Sequence, residues 1–114
     1  MTPEKRVQNA ILRYLDKHTD AAAWRNNTGM TKIGGRVMTF GRKGSADITG
    51  ILPDGRRLEI EVKSKIGRLS KHQKAFRQMI LDSEGFYMIA RSVWDVFDAF
   101  RPRYTAEKPR GKRE

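Results

Sequence analysis

The stretch DITGILPDGRRLEIEVK, residues 47 to 63, decides the fold of this chain. At its centre, Pro53-Asp54-Gly55 supplies a fixed φ, a turn-tolerant Asp and a Gly that can adopt φ > 0. These residue types are typical of a three-residue hairpin loop that closes with a bulge. With Leu52 and Arg56 flanking the loop, cross-strand partners have residue numbers that sum to 108. The stretch therefore predicts a β-hairpin with a defined register.

In this register, Asp47 lies opposite Glu61 and Ile48 lies opposite Ile60. Strand side chains alternate between faces, so Asp47, Glu61 and Lys63 share one face. The other face is aliphatic and carries Ile48, Leu58, Ile60 and Val62. A slip by one residue would place acids among the aliphatic side chains, so the pairing is well specified. Because directly opposed carboxylates repel each other, we expect a cation between them, either the Lys63 ammonium or a divalent metal.

The hairpin alone is also compatible with a solvated face on which Lys63 forms an ordinary salt bridge. The segments that follow argue against this, because the second strand and the strand near residue 88 are each followed by a predicted helix. Strands connected through helices are usually covered on both faces. Acids on a covered strand cost free energy unless they are paired or bound to metal. Two carboxylates and a lysine on a basic chain are what metal-dependent phosphodiester cleavage requires.

The composition agrees with this hypothesis. The chain has 114 residues, a net charge of +11 and no cysteine. This length predicts one domain, and the alternation of helical and strand segments predicts the α/β class. The charge indicates a polyanionic partner, nucleic acid. The lack of cysteine excludes a disulfide framework and suits an intracellular protein. No apolar run reaches the length of a membrane span and no signal peptide is visible, so no membrane partner is expected.

The N-terminal segment predicts a helix. Thr2 is a capping residue, Pro3 suits the first helical position, and Glu4 adds an acid to the first turn. Apolar residues at 3-4 spacing predict a buried stripe, which consists of Val7, Ala10, Ile11, Tyr14 and Leu15. Glu4 and Gln8 lie one turn before members of this stripe and can point inward at its edge. By spacing alone, Glu4 is equally compatible with a site residue and with an acid that complements the helix dipole.

Residues 21 to 25 predict a short strand that leads into a polar turn at residues 26 to 29. Residues 29 to 44 are rich in glycine, and only residues 37 to 40 have strand character. The basic residues of this segment are Lys32, Arg36, Arg42 and Lys43. A glycine-rich basic segment lets backbone amides and cations approach phosphates. We interpret it as a DNA contact rather than a merely flexible surface loop, with Gly44 and Ser45 permitting close backbone approach to the scissile strand.

The second half of the chain predicts a helix, a strand and a helix. Ser70 and Gln73 form the Ser-x-x-Gln pattern of a capping box, and Gly85 is expected to end the helix that the box begins. A buried strand at residues 86 to 90 and a last helix at residues 92 to 100 follow. Gln73 has a complete structural explanation as the capping partner. It also lies on the buried side of the helix, so a role at the site stays open.

From residue 101 the composition changes to prolines, a glycine and six basic residues against two acids. We expect a domain of residues 1–100 and a disordered or loosely attached tail of residues 101–114. The tail is compatible with non-specific attraction to phosphates and equally with a purely solubilising role.

These segments together resemble the virus-type replication-repair nuclease (VRR-Nuc) domain of the PD-(D/E)XK nuclease superfamily. The resemblance rests on an ordered set of residues: Glu4 and Gln8, WRNNTG at residues 24 to 29, Asp47, Glu61-x-Lys63 and Ser70-x-x-Gln73. Glu-x-Lys alone is a weak motif, whereas the ordered set is far more specific. The Pro-Asp of the superfamily is Ala46-Asp47 here, a departure that keeps the carboxylate. The resemblance implies an α/β fold with a central mixed sheet flanked by helices, in the order α-β-β-β-β-α-β-α.

The resemblance also implies a metal site for Mg²⁺ or Mn²⁺, ions that prefer oxygen ligands. The implied ligands are Asp47, Glu61, the main-chain carbonyl of Val62 and Glu4. Lys63 would orient the attacking water or stabilise developing negative charge. Gln73 would orient water or phosphate. Gln8 would position Glu4 without binding the metal itself. No small-molecule cofactor besides the metal is expected.

The substrate that the resemblance implies is DNA. Small stand-alone members of this family resemble junction resolvers, so we expect an endonuclease that cuts branched DNA, in particular four-way (Holliday) junctions, as a homodimer. Two alternatives stay open, a non-catalytic DNA-binding module and a nuclease that acts on flaps or other DNA. The resemblance further implies a phage- or prophage-borne protein of the cytoplasm. Expected DNA contacts beyond the glycine-rich segment are Lys65, Arg68 and Lys71.

Overall fold

The hairpin at residues 48 to 62 forms the centre of the fold. The structure, a computed structural model, describes residues 1–27 and 29–113; the predicted turn at residues 26 to 29 includes Thr28, which lies outside the described residues. In chain order the elements are α1 (Pro3–His18), β1 (Ala22–Arg25), β2 (Gly29–Ile33), β3 (Arg36–Phe40), β4 (Ile48–Ile51), β5 (Arg57–Val62), α2 (Lys71–Asp82), β6 (Phe86–Ala90) and α3 (Val93–Phe100). Across the described ranges, no helix is both long and apolar enough to cross a bilayer.

Four strands form one mixed sheet in the order β1-β4-β5-β6. β4 pairs antiparallel with β1 and with β5, whereas β5 and β6 are parallel and are connected through α2. A crossover helix is the usual connection between parallel neighbours. The predicted class, an α/β fold with a central mixed sheet flanked by helices, is therefore confirmed.

The predicted register of the central hairpin is also confirmed. Ile48 pairs with Ile60 and Gly50 pairs with Leu58. The loop closes as its residue types predict: the Gly55 amide donates to the Leu52 carbonyl at 2.8 Å, and Gly55 has φ +90°. Only a residue without a Cβ adopts this φ at little cost.

Helices cover both faces of the sheet, and each face has its own apolar cluster. The larger cluster joins α1 and α3 to the aliphatic face of the hairpin and includes Ile11, Ile48, Ile60 and Phe100. The smaller cluster lies under α2 and includes Ala46, Phe76 and Ile80. Since strand side chains alternate, the face beneath α2 is the one that carries the acids of the hairpin. The expectation of a covered acidic face is therefore confirmed.

The structure differs from the predicted element order by one strand. Residues 29 to 40 form a separate two-stranded antiparallel sheet of β2 and β3, with a turn at Gly34 and Gly35. Both glycines have positive φ, of 58° and 78°, as the tight turns of hairpins require. The order of elements is thus α-β-β-β-β-β-α-β-α. The prediction missed β2 because, within the described part of the chain, this strand pairs with β3 alone, and its residues 31 to 33 are all exposed.

The end of α2 corrects a second expectation. The residue with positive φ after the helix is Glu84, at 63°, and not Gly85. Gly85 follows it and donates its amide to the Ile80 carbonyl at 2.8 Å. A Cβ on Gly85 would lie 2.7 Å from Ile80 Cγ2. The glycine is therefore explained by close packing and not by a left-handed conformation.

The C-terminal segment, residues 101 to 113, contacts the domain at several points. The Thr105 hydroxyl donates to the His18 carbonyl at 2.9 Å, and the Tyr14 hydroxyl donates to the Glu107 carbonyl at 2.5 Å. Farther along, Arg113 forms two bonds of 2.5 and 3.0 Å with Asp98. Thr105 is 7% exposed. These contacts differ from the loose attachment that the composition predicts.

Candidate active site

Asp47 lies at the entrance to β4, where two segments hold its main chain and its side chain. The Asn26 amide, just after β1, donates to the Asp47 carbonyl at 2.8 Å. The Val62 amide, at the end of β5, donates to Asp47 Oδ2 at 2.8 Å. The carboxylate is thereby fixed next to the last residues of β5, as the hairpin register predicts.

Glu61 lies in β5 with its side chain turned toward α2. Its carboxylate oxygen Oε2 accepts a hydrogen bond from Gln73 Nε2 at 3.1 Å and lies 3.6 Å from the Lys63 ammonium. The residue is 4% exposed, and its second oxygen, Oε1, is buried and has no hydrogen-bond partner among the residues that the structure describes. A buried carboxylate oxygen without a partner is costly.

The electrostatic surroundings of Glu61 oppose its ionisation. Burial raises its pKa to about 7, and the negative charge of Asp47 acts in the same direction. The Lys63 ammonium lowers the pKa, but its effect is smaller than that of burial. A buried acid whose pKa is raised by burial and by a neighbouring carboxylate is typical of sites that bind a cation or transfer protons.

Gln73 forms the predicted capping box and also contacts Glu61, while its role at the site stays a prediction. Its side-chain oxygen accepts from the Ser70 amide at 2.9 Å, and its own amide donates to Ser70 Oγ at 3.2 Å, which completes a capping box. The side-chain nitrogen of the same residue donates to Glu61. The N-terminus of α2 is therefore joined directly to the acid in β5.

Glu4 and Gln8 belong to α1, and the structure shows contacts of Gln8 near Asp47. Gln8 Oε1 accepts from Arg25 Nε at 3.0 Å, and Arg25 pairs with Ile48, the residue after Asp47. Gln8 is thus positioned beside the strand end nearest to Asp47. Glu4 is half-buried one turn earlier in α1. Among the described residues, no hydrogen bond or ion pair joins Glu4 to Asp47 or Glu61.

The predicted DNA contacts lie on both sides of the acids along the chain. The charged ones are exposed, and they are Lys32, Arg36, Arg42 and Lys43 before Asp47, and Lys65, Arg68 and Lys71 after Lys63. Ser45 is half-buried, and its hydroxyl accepts from Asn26 Nδ2 at 3.0 Å. Gly44 approaches the first turn of α2, where an added Cβ would lie 2.3 Å from the His72 carbonyl oxygen. This approach gives Gly44 a structural reason that the sequence did not reveal.

The two carboxylates fit a hard divalent cation, because one of them has an unpartnered oxygen among the described residues. The Lys63 ammonium lies beside them and is not a ligand. An ion that accepts oxygen ligands would give the unpartnered oxygen of Glu61 a partner. It would also offset the negative charge of Asp47, which raises the pKa of Glu61. Among the residues that the structure describes, no three His, Cys, Asp or Glu side chains converge on one point. A metal held here would therefore take its remaining ligands from main-chain carbonyls and water, as Mg²⁺ commonly does.

The structure also shows a buried acid near the site that was not predicted from the sequence. Glu59 is fully buried on the same face as Glu61, where it contacts the Thr49 hydroxyl and Arg57 Nε, the latter at 3.2 Å. Burial raises the pKa of its carboxyl group. The alternation Glu59-Ile60-Glu61 in the sequence already placed both acids on one face. Glu59 lies two positions before Glu61 in β5, and among the described residues its Oε1 is likewise buried without a hydrogen-bond partner. Unlike the pKa of Glu61, that of Glu59 is not raised by a second acid among the described residues of the hairpin.

Comparisons with known proteins identify the family and the fold of the chain. No curated protein shows a significant sequence match to the chain. A solved structure described as a VRR_NUC domain superposes with a TM-score of 0.66 at 20% identity, and the match covers 91% of this chain and 100% of that one. At this identity the likeness shows the fold. The model of the VRR-NUC domain family matches residues 2–94, the part that holds every acid of the site. The chain thus belongs to the VRR-NUC domain family, whose members are nuclease-type DNA-processing domains.

Proposed function

We propose that this protein is a Mg²⁺- or Mn²⁺-dependent endonuclease that hydrolyses phosphodiester bonds in branched DNA. The observation that supports this most directly is Glu61, a buried carboxylate with an unpartnered oxygen beside Asp47 and 3.6 Å from the Lys63 ammonium. A sheet stabilised only by packing gains nothing from this arrangement, because a buried unpaired acceptor lowers stability. A site that binds an oxygen-seeking cation explains it.

The residues of the site have separate roles in the proposed reaction. Asp47, Glu61 and the Val62 carbonyl would hold the ion, and Glu4 is the further candidate from α1. A bound divalent ion supplies Lewis-acid polarisation of the phosphate and lowers the pKa of water. Lys63 orients the attacking water or stabilises negative charge that develops on the phosphate. Gln73 restricts the Glu61 carboxylate to one orientation through its 3.1 Å hydrogen bond.

DNA would approach the acids between two basic segments. One carries Lys32 and Arg36 on the β2–β3 hairpin, whose ends join the sheet next to Asp47, and the other follows Lys63 and includes Arg68. Exposed cations on both sides of an acidic site attract the phosphodiester backbone and offset the repulsion between the acids and the phosphates. We propose a homodimer acting on four-way junctions, since a symmetric branched substrate offers two equivalent phosphates to two equivalent sites.

A cleavage assay tests the catalytic proposal. With Mg²⁺, linear duplex, flap and four-way junction DNA are offered to the wild-type protein and to Asp47→Asn, Glu61→Gln and Lys63→Ala variants. We expect junction cleavage by the wild type and a loss of at least about 10³-fold in each variant, because each removes an electrostatic contribution to the reaction. Asp16→Asn, which neutralises an exposed acid of α1, serves as the matched control and should cleave normally.

Binding measured without metal separates catalysis from recognition. The three variants should retain DNA binding, and Asp47→Asn should bind more tightly than the wild type because a negative charge has been removed. Full activity in either carboxylate variant would contradict the site. Binding without cleavage of any substrate would favour a non-catalytic module. The solution mass completes the test: a monomer that cuts flaps would overturn the proposed dimer and junction substrate.

A further inference from the structure

A second basic feature lies on the face of the sheet opposite the acids. There, a cavity of about 280 Å³ opens between α1, the start of α3 and the C-terminal segment. Tyr14 forms part of its wall and also belongs to the apolar cluster on the aliphatic side of the hairpin. The acids face α2 instead. The cavity and the candidate active site are therefore separated by the thickness of the sheet.

Three cations line this cavity: Arg13 and Lys17 from α1 and Arg110 from the C-terminal segment. All three are exposed. Arg13 and Lys17 are four residues apart on one helix, where like charges destabilise the helix slightly. Across residues 1–27 and 29–113, no ion pair joins any of the three to an acid. The acid closest along the chain to Arg110 is Glu107, which already pairs with His18 at 2.7 Å.

Arg110 is held near the helix by contacts on both sides of it. On one side, Glu107 accepts from Tyr14 through its carbonyl, and Thr105 donates to the His18 carbonyl. On the other, Arg113 is bonded to Asp98 and stacks over the Trp94 ring at 4.5 Å from its centroid. The segment lies beyond the residues matched by the family model, 2–94. The cavity is thus completed by a part of the chain outside the matched region.

We propose that Arg13, Lys17 and Arg110 form a second DNA-backbone site, which binds a phosphate group of the DNA whose cleavage is proposed above. The inference rests on DNA being the partner of that proposed function. Exposed cations hold a free phosphate ion weakly, because water and salt screen each charge. A branched DNA that is held by one arm at the active-site face can place a second arm against them at a high effective concentration, so the same three charges contribute measurably. The cavity therefore suits an arm of branched DNA better than a small free anion.

The test compares two variants that carry the same change of net charge. One replaces Arg13, Lys17 and Arg110 by Gln; the control replaces the exposed residues Lys5, Arg6 and Lys74 by Gln. Dissociation constants are measured without metal, so that no cleavage occurs, over a range of salt concentrations. The probes are a linear duplex of about 40 base pairs and a four-way junction with arms of about 20 base pairs, which span roughly 68 Å each at 3.4 Å per pair. Each arm is longer than the longest dimension of the protein, 50 Å. Because duplex DNA is stiff over about 150 base pairs, the linear duplex lies on one face at a time, whereas two arms of the junction can lie on opposite faces.

The cavity variant should bind the junction about tenfold more weakly, with a logarithmic salt slope shallower by about 1, since one lost phosphate contact removes about 0.9. Its affinity for the linear duplex should change less than about twofold, because that duplex occupies one face at a time. The control should lose less than about threefold on either probe. Equal losses in the two variants, or an equal loss on the two probes, would overturn the inference.

Two further measurements keep the outcomes distinct. Thermal denaturation confirms that the variants fold; if the triple variant does not, Arg13→Gln and Arg110→Gln are measured singly. Inorganic phosphate is then titrated against the wild type. Stabilisation by micromolar phosphate that disappears in the cavity variant would identify a small-anion site and overturn the DNA assignment. Because binding is scored without metal, a wild type that binds through the cavity but cuts nothing would overturn the proposed nuclease and leave this site intact.

Discussion

Glu61 is buried next to Asp47, and both features raise its pKa to about 7 from an ordinary value of 4.5. The unfolded chain loses this proton near the ordinary value, whereas the folded protein keeps it until about pH 7. Between these values the folded state binds more protons, so the free energy of unfolding must fall as the pH rises. Below the ordinary value the contribution is fully present, and above about pH 7 it is lost.

We therefore predict that the metal-free protein loses stability between about pH 4.5 and pH 7, by at most about 3 kcal/mol from this group. Thermal denaturation in EDTA across this range measures the effect. Glu61→Gln should flatten the slope, leaving the smaller part due to Glu59, whose pKa is raised in the same direction. Mg²⁺ should stabilise the wild type more at pH 8 than at pH 5, because it favours the ionised carboxylates. A slope identical in both proteins would contradict the assignment.

The residues of the site were largely predictable because strand alternation relates them. Asp47, Glu61 and Lys63 follow from one hairpin loop and a period of two, and the structure brings Glu61 and Lys63 within 3.6 Å. The contact from Gln73 to Glu61 was harder to predict from the sequence, because it depends on how α2 packs across the sheet. The position of Glu4 relative to the acids depends in the same way on the packing of α1, and its role stays a proposal.

At the scale of elements, the approach of Gly44 to α2 links the loop before β4 to the helix that carries Gln73. Gly44 has φ +80°, and an added Cβ would lie 2.3 Å from the His72 carbonyl oxygen. Gly55 in the hairpin loop has a similar φ of +90° but open space around it. The two glycines therefore separate the cost of the backbone conformation from the cost of the close contact.

We predict that Gly55→Ala destabilises the protein by about 1–2 kcal/mol, the cost of a left-handed residue with a Cβ. Gly44→Ala should cost about 3 kcal/mol or more, because the contact with His72 is added to the same backbone cost. Urea denaturation of both variants measures the difference. Equal costs would show that the loop can move away from α2 without penalty.

The two hairpins show why some elements are predictable and others are not. The β4–β5 hairpin has a turn of defined chemistry and one buried face, so sequence pattern and structure agree on its register. β2 contains a glycine, a threonine and a lysine, and its exposed residues include Lys32 and Ile33. A strand that is not packed against a core leaves no period of two in the sequence. Its pairing with β3 could be recognised only in the structure.

At the scale of the whole molecule, the C-terminal segment is the part least visible in the sequence. Its composition predicts a solvated tail, yet single polar contacts connect it to distant residues, such as Thr105 to His18 and Tyr14 to Glu107. Contacts of this kind have no local pattern, because they join residues about 90 positions apart through one side chain each. The apolar stripe of α1 predicted that Tyr14 is buried but not what its hydroxyl would bind.

We predict that removal of residues 104 to 114 lowers the stability of the domain by a few kcal/mol. The truncation leaves the buried Tyr14 hydroxyl without its acceptor, exposes apolar surface beneath Tyr104 and leaves Asp98 without Arg113. Each lost buried hydrogen bond costs about 1–3 kcal/mol, whereas the exposed ion pair contributes about 0–1 kcal/mol.

Urea denaturation of the full chain, the truncated chain and the variants Tyr14→Phe and Arg113→Gln measures these contributions. Tyr14→Phe removes the hydroxyl together with its need for a partner, so it should cost less than the truncation. Arg113→Gln should change stability little, because the ion pair that it breaks is exposed to water. If the truncated chain were as stable as the full chain, the segment would be the loose tail that its composition predicts. The cavity completed by Arg110 would then lack a fixed wall, and the second DNA contact would lose its structural basis.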